Sequence, residues 1–159
     1  MTISLRKANK EDAQLLYEWS QDKVVREMSL SSEQFSWEVH ERWFANKMAS
    51  DRCRIYIAED GAGQPVGQIR FDLVHEDRAE VAVYTDPHQR GRGLGAGIIQ
   101  QGTVKFVECV PVKAIDAIIK VENLRSRKAF LKAGYKEIGQ ECIQGRKCYR
   151  LRCIVSPSR

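Results

Sequence analysis

The chain carries the stretch His88-Gln89-Arg90-Gly91-Arg92-Gly93-Leu94-Gly95-Ala96-Gly97 between a strand-like run and a helix-like run. Glycines at alternate positions remove side chains from a turn, so several backbone N–H groups can converge on one anion at a helix N-terminus. Arg90 and Arg92 add two permanent cations beside these groups. The stretch therefore predicts a binding site for a pyrophosphate or another multiply charged phosphate.

Two familiar glycine motifs fit this stretch poorly. A P-loop ends in Gly-Lys-Ser/Thr, and no such ending occurs here. The dinucleotide fingerprint is met only in its looser form, with Ala96 last, and the next strand-like run ends at Lys120 where an acidic ribose ligand is expected. The pattern Arg/Gln-x-x-Gly-x-Gly/Ala fits better, as Arg90 to Gly95. It resembles the coenzyme A pyrophosphate loop of the GNAT superfamily of N-acetyltransferases.

A second element of the same superfamily follows downstream. The buried strand-like run Ala114 to Ile119 leads to Asn123-Leu124-Arg125-Ser126, a helix-like run and Gly134-Tyr135. This is similar to the GNAT pattern of strand, Asn-x-x-Ser/Ala, helix and Gly-Phe/Tyr, and the resemblance covers residues 3 to 152. It implies an α/β (α+β) GNAT fold, formed by a single domain over residues 1–159. In that fold a mixed, mostly antiparallel sheet of about six to seven strands has a splayed fourth strand and about four flanking helices.

Alternating apolar positions and turn residues place the elements along the chain. Strands are expected at Ile3–Ala8, Cys53–Glu59, Pro65–Val74, Glu80–Thr85, Ala114–Lys120, Tyr135–Gly139 and Cys148–Ile154. Helices are expected from Ala13 to Ser20, from Ser36 or Ser32 through Met48, after Gly93, and after Asn123. The run Cys148–Ile154 is expected to lie at a sheet edge that could pair two copies, so the chain is predicted to be a monomer or a homodimer.

Composition limits the partners and the compartment. With 159 residues, 43% of them hydrophobic, the chain can bury one sizeable core. Its net charge of +5 is spread along the sequence, which suits an anionic small ligand better than nucleic acid. Five cysteines without a Cys-x-x-Cys pair, and no long apolar run, predict a reduced cytoplasmic protein with no disulfide, structural zinc or membrane segment.

The GNAT resemblance implies acetyl-CoA as co-substrate, with no metal. Backbone groups of Val83, Tyr84 and Thr85 would pair with the pantetheine arm, and an amide of this segment would polarise the thioester carbonyl. Asn123 would cap a helix while its amide reaches the pantetheine arm, with Ser126 beside it. The pyrophosphate loop itself would consist of Arg90, Gly91, Arg92, Gly93, Leu94, Gly95 and Ala96.

Acetyl transfer requires a base for the amine and a proton for the leaving thiolate. Glu80, on the predicted fourth strand, is the candidate base, although a solvated or salt-bridged strand carboxylate is the simpler interpretation. His75 and Glu76 are weaker candidates, and His88 is expected to cap the loop. Many GNAT enzymes place a tyrosine acid seven residues after the asparagine, where this chain has Phe130. The proton must then come from water or from another hydroxyl, for which the candidates are Tyr84, Tyr135 and Ser126.

The acceptor should be selected by the N-terminal helices, which contain all three tryptophans. Parts of this region resemble GNAT proteins that acetylate a nucleotide-linked 4-amino sugar in pseudaminic acid synthesis, and the resemblance implies contacts from Arg26, Trp37, His40 and Arg70. A protein N-terminus or a ribosomal protein is the alternative acceptor, and a non-catalytic acyl-CoA sensor is the alternative function. The local charges leave the choice open: Arg26, Arg42 and Arg70 stand against Glu18, Glu27, Glu38 and Glu41.

Overall fold

A computed structural model describes residues 2–156 and contains one seven-stranded sheet. Its spatial order is β1-β2-β3-β4-β5-β7-β6, and every neighbouring pair is antiparallel except β4 and β5. The mixed, mostly antiparallel sheet is therefore confirmed. The strands are β1 (Ser4–Lys7), β2 (Cys53–Glu59), β3 (Pro65–Leu73), β4 (Arg78–Thr85), β5 (Ala114–Lys120), β6 (Lys136–Ile143) and β7 (Arg146–Ile154).

The described residues contain five α-helices, one more than expected. They are α1 (Ala13–Ser20), α2 (Lys23–Met28), α3 (Trp37–Ala49), α4 (Leu94–Cys109) and α5 (Leu124–Lys132), with 3₁₀ turns at Lys10–Asp12 and Pro87–Gln89. The additional helix, α2, has six residues, too few to show a helical period in the sequence. It begins where the Asp22 side chain accepts a hydrogen bond from the Val25 N–H at 3.1 Å. Across residues 2–156, no helix combines the length and the apolar character needed to cross a bilayer.

Helices cover both faces of the sheet. On one face, α4 packs against β3, where the rings of Phe71 and Phe106 stack with centroids 4.5 Å apart. The approach is close: a Cβ on Gly102 would lie 2.9 Å from Ile69 Cδ1. On the other face, α1 and α3 bury Trp19 and Phe44 against β2. Each fully buried aromatic of this kind stabilises the fold by about 1.5–3 kcal/mol.

The fourth strand separates from the fifth. β4 pairs with β3 over seven positions, from Gly67 opposite Thr85 to Leu73 opposite Ala79. Its pairing with β5 ends after three positions, at Glu80 opposite Asp116. From Val81 onward the two strands diverge and leave a wedge-shaped opening in the sheet. The predicted splayed fourth strand is thereby confirmed.

The C-terminal hairpin corrects one expectation. Cys148–Ile154 belongs to β7, which lies between β5 and β6, so the expectation that it forms a sheet edge is wrong. The turn has positive φ angles at Gln144 (49°) and Gly145 (76°), as a two-residue hairpin requires, and it folds β6 outside β7. β7 contributes the buried Cys148 and Leu151, whereas β6 is mostly exposed and polar, the composition that suits an edge strand.

Candidate active site

A cavity of about 820 Å³ occupies the opening between β4 and β5 and continues toward α2 and α3. This volume lies in the range of small-molecule and cofactor sites, about 300–1,000 Å³. The cavity brings together most of the residues predicted for cofactor and acceptor. These are Arg26, His40, Arg70, Glu80, Val83, Tyr84, Thr85, Arg90, Gly91, Gly93, Leu94, Gly95, Ala96, Asn123 and Ser126. The wall does not include Trp37, Arg92 or Tyr135.

The glycine loop forms one end of the cavity. Gly91 and Gly93 have φ angles of 81° and 72°, left-handed conformations that glycine adopts without steric cost. Gly93 is the N-cap of the 16-residue helix α4, so the free N–H groups and the positive end of the helix dipole meet the cavity there. The 3₁₀ turn before the loop is capped by Asp86, which accepts from the His88 N–H at 2.9 Å. The expectation that His88 supplies the cap is therefore wrong.

Arg90, on the loop, connects the phosphate end of the cavity to helix α2. Its guanidinium donates a hydrogen bond to the carboxylate of Asp22, which also caps α2. Burial alone would raise the pKa of Asp22, but the bonds from Arg90 and from the Val25 N–H hold it below its usual value. Arg92 instead donates to the Gln89 side chain at 3.0 Å, on the exposed side of the loop. Sequence reasoning missed Asp22, and its only local signal was its fitness as a helix N-cap.

The opposite wall is formed by the start of α5. The Asn123 side-chain oxygen accepts from the Ser126 N–H at 3.3 Å and caps the helix. Because the oxygen is used in this way, the amide NH₂ group is the part of Asn123 that can donate to a ligand. Phe130, at the position where the GNAT pattern has tyrosine, is almost fully buried and also contributes to this wall.

Two carboxylates line the cavity, and their surroundings differ. Asp72 accepts from Lys47 Nζ at 2.7 Å and from Arg70 Nε at 2.8 Å. Burial alone would raise its pKa, but these two cations hold it below its usual value. The Glu80 side chain is 34% exposed, and its nearest cation, Arg150 Nη1, is 3.9 Å away. Glu80 is therefore the carboxylate with the weaker ionic contacts, and it is the freer of the two to contact an acceptor.

The weaker base candidates are placed elsewhere. His75 and Glu76 lie on the turn between β3 and β4, before the start of the strand that carries Glu80. Neither residue is part of the cavity wall. The structure does not bring them to the site.

A buried charge cluster supports the sheet beside Glu80. Asp116, opposite Glu80 in the β4–β5 register, is fully buried and accepts from Arg150 Nη1 at 2.7 Å and Arg152 Nε at 2.6 Å. Arg150 also forms two hydrogen bonds with Glu141 on β6. Sequence reasoning missed this cluster, although one aspartate inside the apolar run 114–119 was a signal, since a buried charge needs partners.

The candidate hydroxyls have different environments. Burial raises the pKa of Tyr84 to about 12, although Arg70 and Arg26 oppose the rise, and its hydroxyl donates to the Leu16 carbonyl at 3.4 Å. Tyr135 is buried away from the cavity, with its hydroxyl 2.8 Å from Thr103 Oγ1. Of the three candidates, only Tyr84 and Ser126 line the cavity.

Aromatic and cationic side chains form the end of the cavity near α2 and α3. The Arg26 guanidinium lies 4.8 Å from the centroid of Phe35, and that of Arg70 lies 5.1 Å from the centroid of Trp43. Phe35 and Trp43 were not among the predicted contacts, because the sequence alone does not show which side of an aromatic-rich segment faces a cavity.

Two of the predicted acceptor contacts, His40 and Trp37, pack against other residues of the protein. His40 is 3% exposed, and its Nε2–H donates to the Ala13 carbonyl at 2.9 Å. Burial lowers the pKa of His40, so the ring is neutral near pH 7. Trp37 packs edge-on against Tyr17, with ring centroids 5.5 Å apart, outside the cavity.

Comparisons with known proteins agree with this geometry. Residues 2–136 match the family model described as an acetyltransferase (GNAT) domain. The Bacillus subtilis (strain 168) protein YwnH, named as a phosphinothricin acetyltransferase, is 29% identical over 102 residues. The matched part spans 61% of this chain and 61% of that relative.

Two solved structures share the fold over nearly the whole chain. The spermidine N-acetyltransferase from Vibrio cholerae, in complex with CoA and spermine, superposes with a TM-score of 0.86 at 16% identity. That likeness covers 96% of this chain and 95% of the other. Aminoglycoside acetyltransferase AAC(6')-Ib, in complex with coenzyme A, gives a TM-score of 0.83 at 18% identity over the same shares of the two chains.

Proposed function

Because the chain belongs to the GNAT acetyltransferase family, we propose that it transfers the acetyl group of acetyl-CoA to the primary amine of a small molecule. The observation that carries the proposal is the divergence of β4 from β5 after Glu80. It opens a cavity that has the glycine loop at one end and the carboxylate of Glu80 in its wall. A donor thioester and an amine can therefore meet inside the sheet.

The residues present fit coenzyme A. Gly91 and Gly93 leave open space above the loop, since a Cβ built on either would meet no atom within 4 Å. The N–H groups at the start of α4, with Arg90, would hold the pyrophosphate. The edge of β4 from residue 83 to 85 is unpaired on its β5 side, so an extended pantetheine arm can bind there as an added strand. The Asn123 amide would donate to the same arm.

Acetyl-CoA supplies the acetyl group as an activated thioester. Glu80 accepts a proton from the acceptor, whose nitrogen then forms a bond to the carbonyl carbon while the carbon–sulfur bond breaks. A backbone N–H of residues 83–85 stabilises the oxyanion that forms in between. Tyr84 supplies the proton to the leaving thiolate, because it is a phenol in the cavity wall and Phe130 has no proton to give.

The acceptor class is a small-molecule primary amine. The compared proteins are named for phosphinothricin, spermidine and aminoglycosides, all of which carry primary amines. None of these names refers to a nucleotide-linked amino sugar, so the narrower acceptor suggested by the sequence resemblance remains one member of a wider class. A protein N-terminus is a larger acceptor that the same chemistry would serve.

Paired glycine variants test the cofactor site. Gly93→Val and Gly63→Val both place a β-branched residue at a positive φ angle, 72° and 79°, with no atom within 4 Å of the new Cβ. Each should cost about 1–2 kcal/mol of stability. Acetyl-CoA at one hundred times its Kd should stabilise the wild type by about 2.7 kcal/mol, a shift of several degrees in Tm. Gly63→Val should keep that shift and Gly93→Val should lose it, whereas equal shifts would remove the loop from the proposal.

Turnover separates an enzyme from an acyl-CoA sensor. Release of the CoA thiol with an amine panel should fall by about 10²- to 10⁴-fold in Glu80→Gln, with acetyl-CoA affinity unchanged. The matched control is Glu76→Gln, which lies outside the cavity and should keep the wild-type rate. Full activity in Glu80→Gln would exclude it as the base, and no thiol release with any amine would leave binding alone as the function.

A further inference from the structure

The structure separates the charges near the acceptor into those that face the cavity and those that do not. Of the seven charged residues that the sequence left in balance, the two that line the cavity, Arg26 and Arg70, are both cations. The other charged residues of the N-terminal helical region that the sequence left in balance are absent from the wall: Arg42, Glu18, Glu27, Glu38 and Glu41. The apparent neutrality of this region in the sequence therefore does not extend to the cavity.

Arg26 carries an uncompensated charge. Its guanidinium donates only to neutral groups, which are the carbonyls of Ser31 and Glu33 at 3.3 and 3.2 Å and the Ser29 hydroxyl at 3.3 Å. Within residues 2–156 it makes no ion pair, and its buried Nε has no hydrogen-bond partner. The face of the group is covered by the Phe35 ring. The charge of Arg26 is thus partly desolvated and has no counter-ion among the described residues, and such a cation is stabilised by an anion bound beside it.

The second cation adds to this surplus. Asp72 is the carboxylate nearest to Arg70, but it also pairs with Lys47, so two cations share one negative charge. Glu80 is the other carboxylate of the wall, and the arginine 3.9 Å from it, Arg150, is already paired with Asp116 and Glu141. Without Arg150, the cations Arg26, Arg70 and Lys47 outnumber the carboxylates Asp72 and Glu80. This end of the cavity therefore has more positive than negative charge. An acceptor that brought only ammonium groups would be repelled from it.

We propose that the acceptor carries an acidic group close to its amine, a carboxylate, phosphinate or phosphate, and that Arg26 and Arg70 bind this group. The inference rests on the acetyl transfer proposed above and names its substrate class. Arg26 and Arg70 line the same cavity as Tyr84, which lies on β4 where that strand diverges from β5. An anion held between the two arginines would place the adjoining amine at the divergence of β4 and β5. The same cations disfavour the ammonium form and so help to produce the free amine that attacks.

The first experiment compares amines that differ only in the acidic group. L-phosphinothricin and L-methionine are each assayed beside their own carboxamides, with spermidine and kanamycin as polycations and a UDP-linked amino sugar as a phosphate-bearing acceptor. The kcat/KM of each acid should exceed that of its amide by about 10- to 100-fold. A factor of this size corresponds to the loss of one hydrogen bond to a charged group. Turnover of the UDP-linked sugar without the amino acids would identify the anion as a phosphate.

The second experiment removes the cation. Arg26→Met should lower kcat/KM for the best acid by about 10- to 100-fold while the rate with its amide changes little. The control Arg42→Met removes an exposed charge outside the cavity and should change neither rate. Acetyl-CoA-induced thermal stabilisation should persist in both variants, which shows that they fold.

The two levels of the proposal fail differently. Amides or polycations acetylated as fast as the acids, or Arg26→Met acting equally on acid and amide, would overturn the acidic acceptor and leave acetyl transfer standing. Acetyl-CoA binding without acetylation of any amine in the panel would overturn the proposed enzyme itself, and the acidic acceptor with it.

Discussion

Replacing Asp116 with asparagine should destabilise the fold by about 3 kcal/mol. The carboxylate is fully buried and accepts three hydrogen bonds of 2.6–2.8 Å from Arg150 and Arg152. Asparagine has the same shape, but it removes the negative charge and directs an NH₂ group at guanidinium donors. Breaking a buried pair by removing one partner costs about 3–5 kcal/mol. The low end applies here because Arg150 keeps its bonds to Glu141 and Arg152 is partly solvated.

For a chain of this length each kcal/mol changes Tm by about 2–4 °C, so Asp116→Asn should melt about 6–12 °C below the wild type. Thermal unfolding followed by circular dichroism, with a urea titration at 25 °C, measures the loss. The control is Asp77→Asn, whose exposed carboxylate lies 3.6 Å from Lys113 and should cost less than about 1 kcal/mol. An Asp116→Asn protein that melts within about 2 °C of the wild type would refute the stabilising role of the cluster.

Three further outcomes are expected. Asp22→Asn keeps a helix cap but releases Arg90 from its ion pair, so the Kd for acetyl-CoA measured by calorimetry should fall about two- to fivefold; a weaker affinity would contradict this. Tyr84→Phe should lower kcat, whereas Tyr135→Phe should leave kcat unchanged and reduce the free energy of unfolding by about 1 kcal/mol. Steady-state rates that show the reverse would assign the general acid to Tyr135. Burial alone would raise the pKa of Asp116, but the hydrogen bonds from Arg152 and Arg150 hold this pKa below 3.8. The contribution of Asp116 to stability is therefore complete above pH 3.8 and is lost as the pH falls through the folded-state pKa. Urea midpoints between about pH 4 and pH 2 should therefore fall more steeply in the wild type than in Asp116→Asn.

Local rules of backbone conformation explain why much of the fold was predictable. The alternation of Ile55 and Ile57 places both on one face of β2, and Tyr56 and Ala58 are buried on the opposite face because helices cover both sides of the sheet. Gly93 and Asn123 are suited to helix starts by their own conformational and hydrogen-bonding properties, and both are found at N-caps. The splay of β4 from β5 came from the family resemblance rather than from any residue pattern.

Errors occurred where short or distant segments meet. The helix α2 was missed because six residues are too few to show a helical period of apolar residues, although Asp22 is a residue type that favours a helix N-cap. The position of β7 was wrong because strand order depends on which strands pair, and an alternating run does not identify its neighbour. The cap was expected from His88, but Asp86, on the other side of Pro87, provides it.

The amino-acid sequence alone therefore determined the glycine loop at the start of α4, the asparagine cap of α5 and the alternating strands, because each depends on neighbours within a few residues. The tertiary structure was needed to pair Arg90 with Asp22 and to bury Tyr135 against Thr103. It also places Arg26 and Arg70 in the cavity wall and the glutamates of the N-terminal helices outside it. These arrangements join residues far apart in the chain. They arise from the burial of apolar faces and the pairing of strands over the whole molecule, which no local pattern encodes.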